Sequence, residues 1–393
     1  MGGGVTIIFE ERIALSGDAQ GASPTAKTGL LLTSCSLTLV PLYVKFLIRE
    51  TFYVAVVRAV LAMKKTVSLK DVAKRAGVSL GTASKVMNDA GNVNDRMRED
   101  VLRAANELNY IPNVIARTLK TNLTYTIGVI IPEMANTFFD EVIGGIQDYF
   151  EPKGYSVLIY NTHLDSNEEF RAFDIFNQKV DGIIFVSNTI TDELFATLKD
   201  LSIPVVFVAT YVKDFISINI NNEMAAFTAV DFLCKKGHKN IAHLSGDPDD
   251  INAGGPRLEG YKKALKSNNI PVDPKRILEG QYKFEDGIIN TRKFLALDDK
   301  ITAIFAASDT MAVGALNAIH SKGLKVPEDI SVVGFDDVTI ARYASPSLTT
   351  VKQPRYNMGK EGAEKLYFLM TGKDVEIKNY ILEYKLIIRD STN

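Results

Sequence analysis

The chain has 393 residues, 46% of them hydrophobic and 23% charged, with a net charge of −2 at pH 7. That is enough for two or three domains with sizeable cores, and it excludes a disordered tail or a disulfide-stapled miniprotein. Charge is unevenly placed: residues 63–125 hold 11 Lys/Arg against 6 Asp/Glu, whereas residues 126–393 hold 29 against 37. A basic head on an acidic body is the pattern of a short nucleic-acid module joined to something else.

Residues 1–62 stand apart. Within them, TGLLLTSCSLTLVPLYV (28–44) is an uncharged run of 17 residues, at the lower limit for a membrane span. Five Ser/Thr and Pro41 interrupt it, no basic segment opens the chain, and no small-residue cleavage site follows. The expectation is a poorly ordered extension, of the kind a start codon upstream of Met63 would add, and no association with a membrane. Cys35 and Cys234 are far apart and lack metal or redox spacing, which points to a reducing compartment. His163, His238, His243 and His320 are scattered without a cluster, so structural or surface roles are expected and no metal site.

The basic head opens with SLKDVAKRAGVSLGTASKVMN (68–88). Ser68 stands three residues before Asp71, the spacing of a capped helix start. Leu69, Val72, Ala73 and Ala76 follow at helical spacing, and Gly77 permits a sharp turn. Ser79 caps a second helix over 80–88, in which Ala83, Val86 and Met87 pack back on the first. Leu80, Gly81, Thr82, Ser84, Lys85 and Asn88 are left facing outward. Two short helices joined by a tight turn are a helix-turn-helix, whose second helix enters the major groove. A third helix over 95–108 completes the core with Val101, Leu102, Ala105 and Leu108. Its Arg96, Arg98 and Arg103 are either a solvated face or phosphate contacts. The string GVSLG (77–81) also matches the nucleophile elbow of hydrolases, but that motif requires a preceding strand, and here a helix precedes.

On these residues the head resembles that of the LacI/GalR family of bacterial repressors. VSLKDVAKRAGVSLGTASKVMN (67–88) is similar to the family's opening signature, and YIPNVIARTLKTN (110–122) to its hinge. Ala83 departs from the larger β-branched residue usual there, which loosens the packing argument slightly. The resemblance covers residues 63–393 and implies a helix-turn-helix domain over 63–110, a hinge and linker over 111–124, and a two-lobed effector-binding and dimerisation domain over 125–393. Residues 113–120 form about two helical turns, too few to be stable alone. The family implies that they fold when two subunits lie side by side on DNA. Arg117 and Lys120 would then meet the DNA, and Leu119 would wedge into a minor-groove base step.

From residue 125 onward strands and helices alternate. TIGVII (126–131), YSVLIY (155–160), DGIIFVS (181–187) and PVVFVA (204–209) are strand-like apolar runs, with helices expected over 138–150, 167–179 and 192–200. A second series follows: KNIAHLSG (239–246), 301–308 and ISVVGF (330–335), with helices over 256–266 and 310–322. Apolar strands alternating with helices predict α/β lobes built on parallel sheets, like those of periplasmic binding proteins by the family resemblance. A ligand belongs in the cleft at the carboxyl ends of the strands. Asn136, Phe138, Phe139, Arg257, Tyr282 and Asp336 are the residue types that bind sugars: an arginine fork and a carboxylate for hydroxyls, aromatic rings for C–H faces. The family places positions matching Phe139, Arg257 and Asp336 in the effector cleft, Tyr282 as an aromatic lid, and Asn221 and Ser308 as polar contacts. Asp309, opening a helix at Thr310, is either a cleft contact or simply an N-cap.

The expected function is a cytoplasmic, homodimeric transcription regulator on a pseudo-palindromic double-stranded DNA operator. It needs no cofactor, and it is a repressor released by a small-molecule effector, a sugar. A catabolite-control-type regulator with a phosphorylated carrier protein as corepressor is the alternative within the class, and a purine or nucleoside effector a third. A transport binding protein is disfavoured by the helix-turn-helix. An enzyme is disfavoured by the absence of a P-loop, a dinucleotide fingerprint, a metal motif or a nucleophile with its base.

Overall fold

The computed structural model describes residues 67–87, 91–110, 123–134, 136–177, 179–186 and 191–392. The extension 1–62, Asn88, Ser187 at the end of DGIIFVS and the hinge with Arg117, Leu119 and Lys120 therefore lie outside the described residues. The chain divides into two compact units, one up to Pro112 and one from Asn113, each built around its own core.

In the first unit, α1 (Leu69–Ala76) begins with a complete capping box: the Ser68 hydroxyl accepts from the Asp71 amide at 3.3 Å, and the Asp71 carboxylate accepts from the Ser68 amide at 3.0 Å. Gly77 ends the helix at φ +68°, a left-handed conformation that costs glycine little. It turns the chain into α2 (Leu80–Met87), where the Ser79 hydroxyl accepts from the Thr82 amide at 3.0 Å. The third helix, α3 (Asp95–Glu107), is capped by Asn94, whose side chain accepts from the Arg96 amide. Val72, Ala73, Ala83, Val86, Val101, Ala104 and Ala105 form the core. Leu102 does not belong to it: that side chain is 49% exposed, and Ala104 takes its place. The reason is angular. The buried stripe of α3 runs through 101, 104, 105 and 108, and residue 102 lies about 100° off it.

The second unit has two lobes, each a six-stranded sheet. The first sheet contains β1 (Thr126–Ile131), β2 (Ser156–Asn161), β3 (Gly182–Phe185), β4 (Val205–Val208), β5 (Ile216–Ile220) and the late β11 (Asn379–Leu382). Its order is β11-β5-β4-β3-β1-β2, parallel throughout. Helices α4 (Phe138–Phe150), α5 (Ser166–Phe176), α6 (Asp192–Lys199) and α12 (Arg355–Met370) accompany it. The second sheet contains β6 (Ile241–Ser245), β7 (Ile277–Glu279), β8 (Ala303–Ala306), β9 (Ser331–Asp336), β10 (Thr349–Lys352) and β12 (Lys385–Ile387). Its order is β12-β10-β9-β8-β6-β7, with only β12 antiparallel. Helices α7 (Asn222–Lys235), α8 (Gly254–Ser267), α9 (Phe284–Phe294), α10 (Asp309–Ser321) and the short α11 (Thr339–Tyr343) complete it.

The chain passes between lobes three times, after β5, β10 and β11. Strands β1, β3, β4, β6, β8 and β9 are buried almost end to end, as strands covered on both faces must be. Helices α4 and α12 pack backbone to backbone: a Cβ on Gly145 would collide with the Tyr356 carbonyl, and one on Gly359 with that of Val142. One hydrophobic cluster runs from Ile127 and Val206 in the first lobe, through Ala225, Ala229 and Leu233 of α7, to Phe305 and Val351 in the second. No helix among the described residues is long and apolar enough to cross a membrane.

Candidate functional site

A cleft opens between the lobes where the strands end, at the place such sheets offer a ligand. Its lining comes from the ends of β5 and β9 and the segments after β1 (Pro132 to Phe139), β2, β4, β5, β6, β7, β8, β9 and β10. Short connections at the carboxyl ends of parallel strands bring residues distant in sequence onto one surface.

Arg257, in the first turn of α8, is the best-held side chain in it, at 6% exposure. Its Nε donates to Asn222 Oδ1 at 2.9 Å, its Nη1 to the Ala307 carbonyl at 2.6 Å, and its guanidinium lies 3.8 Å from the Phe335 ring centre. The remaining Nη2 faces Asp336 Oδ1 at 3.7 Å, an ion pair too long for a direct hydrogen bond. The same Asp336 Oδ1 accepts from Gln353 Nε2 at 2.7 Å. Burial pushes its carboxyl above the usual range, while Arg257, Gln353 and Arg355 pull it back down.

Asp336 and Asp337 take successive positive φ values of 110° and 53°, a strained turn that aims the first carboxylate into the cleft. Asp309 holds this turn. Fully buried, it accepts from the Val338 amide at 2.8 Å and from the Thr350 hydroxyl. The helix cap beside it is Ser308, which accepts from the Met311 amide at 3.2 Å, so Asp309 ties strands together and the expected capping role passes to its neighbour. Burial, with Asp336 nearby, raises the Asp309 carboxyl well above its ordinary value.

The opposite wall carries Phe138 and Phe139, edge to face at 5.3 Å, and Asn136, whose side chain accepts from the Phe138 amide. Tyr282 also lines the cleft, at φ +62°, with its hydroxyl over Gly246 and without a hydrogen-bond partner. Ser308 lines it too. Asn221 does not: it is exposed and caps α7, accepting from the Met224 amide at 2.9 Å. The next residue, Asn222, faces the cleft and carries the bond to Arg257. Asn219, Gln281 and Gln353 are further polar lining residues that the sequence did not single out.

In the head, Leu80 is 52% exposed, Gly81 and Lys85 are exposed, and Thr82 and Ser84 are half-buried, so one face of α2 is free of the core. Ser79 is occupied as the α2 cap and follows a helix, which leaves nothing of the hydrolase elbow.

Residues 68–113 match the profile of bacterial regulatory proteins of the lacI family, and residues 230–392 that of a periplasmic binding protein-like domain. The HTH-type transcriptional regulator RegA of Clostridium saccharobutylicum is 38% identical over 328 residues, 83% of this chain and 99% of RegA. The chain belongs to the LacI family. This LacI-family member is accordingly a transcriptional regulator and not an enzyme, with a helix-turn-helix head and a two-lobed sensor. It is also 36% identical to catabolite control protein A of Priestia megaterium over 329 residues, covering 83% of this chain and 99% of that protein. Among solved structures, a lac repressor dimer bound to operator and an anti-inducer is similar at TM-score 0.73 and 31% identity, across 84% of this chain and 99% of that one. A CelR–cellobiose complex is similar at TM-score 0.64 and 31% identity, across 83% and 99%.

Proposed function

We propose that this LacI-family regulator is a cytoplasmic repressor that binds a pseudo-palindromic operator as a homodimer and is released by an unphosphorylated sugar in the cleft. The observation that carries this reading is the Arg257–Asp336 pair: both side chains are buried and fixed by other groups, yet their facing atoms stand 3.7 Å apart. Two adjacent hydroxyls of a sugar could lie across the pair from the cleft side, one donating to the carboxylate and the other accepting from the guanidinium. Phe138 and Phe139 supply an apolar wall for a C–H face. Arg257 is the one cation among the described lining residues, and Asp336 already balances it, so the cleft suits a neutral polyol over a phosphate ester. Asn136, Phe138, Phe139, Asn222, Arg257, Tyr282, Ser308 and Asp336 are the proposed ligand contacts. On DNA, Leu80, Gly81, Thr82, Ser84, Lys85 and Asn88 would face the major groove, with Arg117, Leu119 and Lys120 of the hinge at the minor groove.

Ligand binding between the lobes favours one lobe arrangement over another and lowers operator affinity through that difference. The full-length similarity to catabolite control protein A supports a second reading, in which a phosphorylated carrier protein tightens operator binding. The test begins with an operator selected from random DNA on the purified protein. Its complex is then titrated with a panel of mono- and disaccharides, and separately with a seryl-phosphorylated carrier. Release by one sugar supports the first reading; tightening by the carrier alone, with every sugar inert, replaces it with the second.

A further inference from the structure

Arg257 belongs to a hydrogen-bonded chain that leaves the cleft and crosses to the other lobe. Asn222 accepts from Arg257 Nε at 2.9 Å through its Oδ1. Through its Nδ2 the same side chain donates to the Asn252 carbonyl at 2.8 Å. The Asn252 side chain then accepts from the Tyr211 amide at 2.8 Å. Tyr211 follows β4 in the first lobe, whereas Asn252 lies between β6 and α8 in the second. Ala209 and Ala253, flanking these two residues, both line the cleft, so the crossing bond lies at its rim.

Asn252 is 9% exposed, and its loop is held by hydrogen bonds within its own lobe. Asp250 is buried and accepts from the amides of Asn252, Ala253 and Gly254 at 2.9, 3.2 and 3.1 Å, which presets the loop at the start of α8. Gly254 is forced by the same loop, because a Cβ there would collide with the Asp247 carbonyl. The Tyr211 side of the bond is a backbone amide, so it survives any residue but proline at 211 and depends on the acceptor opposite. The loop that carries it is anchored within its own lobe by the Val212 amide bonded to Ser217 Oγ at 3.1 Å.

We infer that Asn252 is a positioning residue: its side chain latches the rim of the cleft to the first lobe, while its carbonyl holds Asn222 against Arg257. When the lobes part, the Tyr211 amide loses its acceptor. The bonds from Asn252 through Asn222 to Arg257 lie within the second lobe, so the guanidinium keeps the orientation that faces Asp336. The functional meaning of this latch rests on the cleft being the effector site, but its existence does not, and the test uses no ligand.

Hydrogen–deuterium exchange is measured on the full chain, unliganded, at the Tyr211 amide, with the Val212, Ala253 and Gly254 amides as references within each loop. In Asn252→Ala, Tyr211 exchanges about tenfold faster than in the parent, while the three references keep their protection. Asn252→Asp keeps an oxygen acceptor at the same reach and restores slow exchange at Tyr211. An unchanged Tyr211 rate in Asn252→Ala with the references intact overturns the latch. Should Asn252→Ala lose protection at Ala253 and Gly254 as well, the Asp variant decides. Slow Tyr211 exchange there upholds the inference and fast exchange overturns it. A cleft that takes no sugar would leave this outcome untouched and would overturn only the proposed effector.

Discussion

At the scale of the residue, what distinguishes the cleft is how many groups hold Arg257 in place before a ligand arrives. Three fixed contacts, to Asn222, Ala307 and the Phe335 ring, leave a single edge of the guanidinium for the ligand. Arg257→Lys keeps the charge but not the planar fork, so both the anchoring and the ligand edge are lost together. The concentration of the releasing sugar needed for half-dissociation of the operator complex rises about 10- to 100-fold in that variant, the worth of one hydrogen bond to a charged group. A release curve superimposable on the parent's would remove Arg257 from the ligand. Much of this wall could be foreseen, because Arg257, Asp336, Phe138 and Phe139 are residue types that suit a polyol and stand near strand ends, where such sheets bind ligands. Asn221 and Asn222 could not be told apart. Which of two adjacent asparagines caps a helix and which faces the cleft depends on where the helix starts, and one residue turns the side chain through about 100°.

At the scale of the element, the head depends on caps because its helices are short. Eight residues of α1 give little propagation to offset nucleation, so each terminal hydrogen bond counts. Ser68→Ala removes the hydroxyl half of the capping box and costs the helix about 1 kcal/mol. Amide exchange across α1 in the full chain then speeds up about fivefold, while α3, capped by its own Asn94, stays as in the parent. Equal acceleration in both helices would mean that the head opens only as a whole. The capping box, the Gly77 turn and the strongly apolar strands were legible because each rests on a local signal. Strand β5, ISINI, was not, since Ser217 and Asn219 interrupt its apolar run although all five residues are buried. Nor was α7, whose buried face is made largely of alanine and whose pattern is correspondingly flat. Edge strands β11 and β12 escaped as well: Ile381 in β11 is 54% exposed, and what places the two strands is pairing with chain distant in sequence, β11 with β5 and β12 with β10.

At the scale of the molecule, three crossings and a shared hydrophobic cluster bind the lobes into one cooperative body, and a single histidine can test that. His243 is fully buried in the second lobe, stacked 4.9 Å from both Tyr261 and Phe305, with its Nδ1 against the Phe305 carbonyl at 3.0 Å. Burial lowers its pKa to about 4. An unfolded histidine titrates near 6.5, so between the two values the unfolded chain takes up a proton that the native chain refuses. Its contribution is therefore complete above about pH 6.5 and is lost as the pH falls toward 4, roughly 1.4 kcal/mol per unit and about 3 kcal/mol in all. Asp309, raised by burial, runs the other way: its contribution is present in acid and is lost as the pH rises. Comparing the parent with His243→Phe cancels Asp309 and every other carboxylate common to both. The difference in unfolding free energy should change with that slope across the window and be flat above it. Protection factors at the amides of β1 in the first lobe and β8 in the second, taken relative to the intrinsic exchange rate at each pH, should fall together in the parent as the pH falls, because one hydrophobic cluster joins them. Loss of protection in β8 alone would show that the lobes unfold separately, and that closure of the cleft is carried by the rim and crossover contacts without help from a common core.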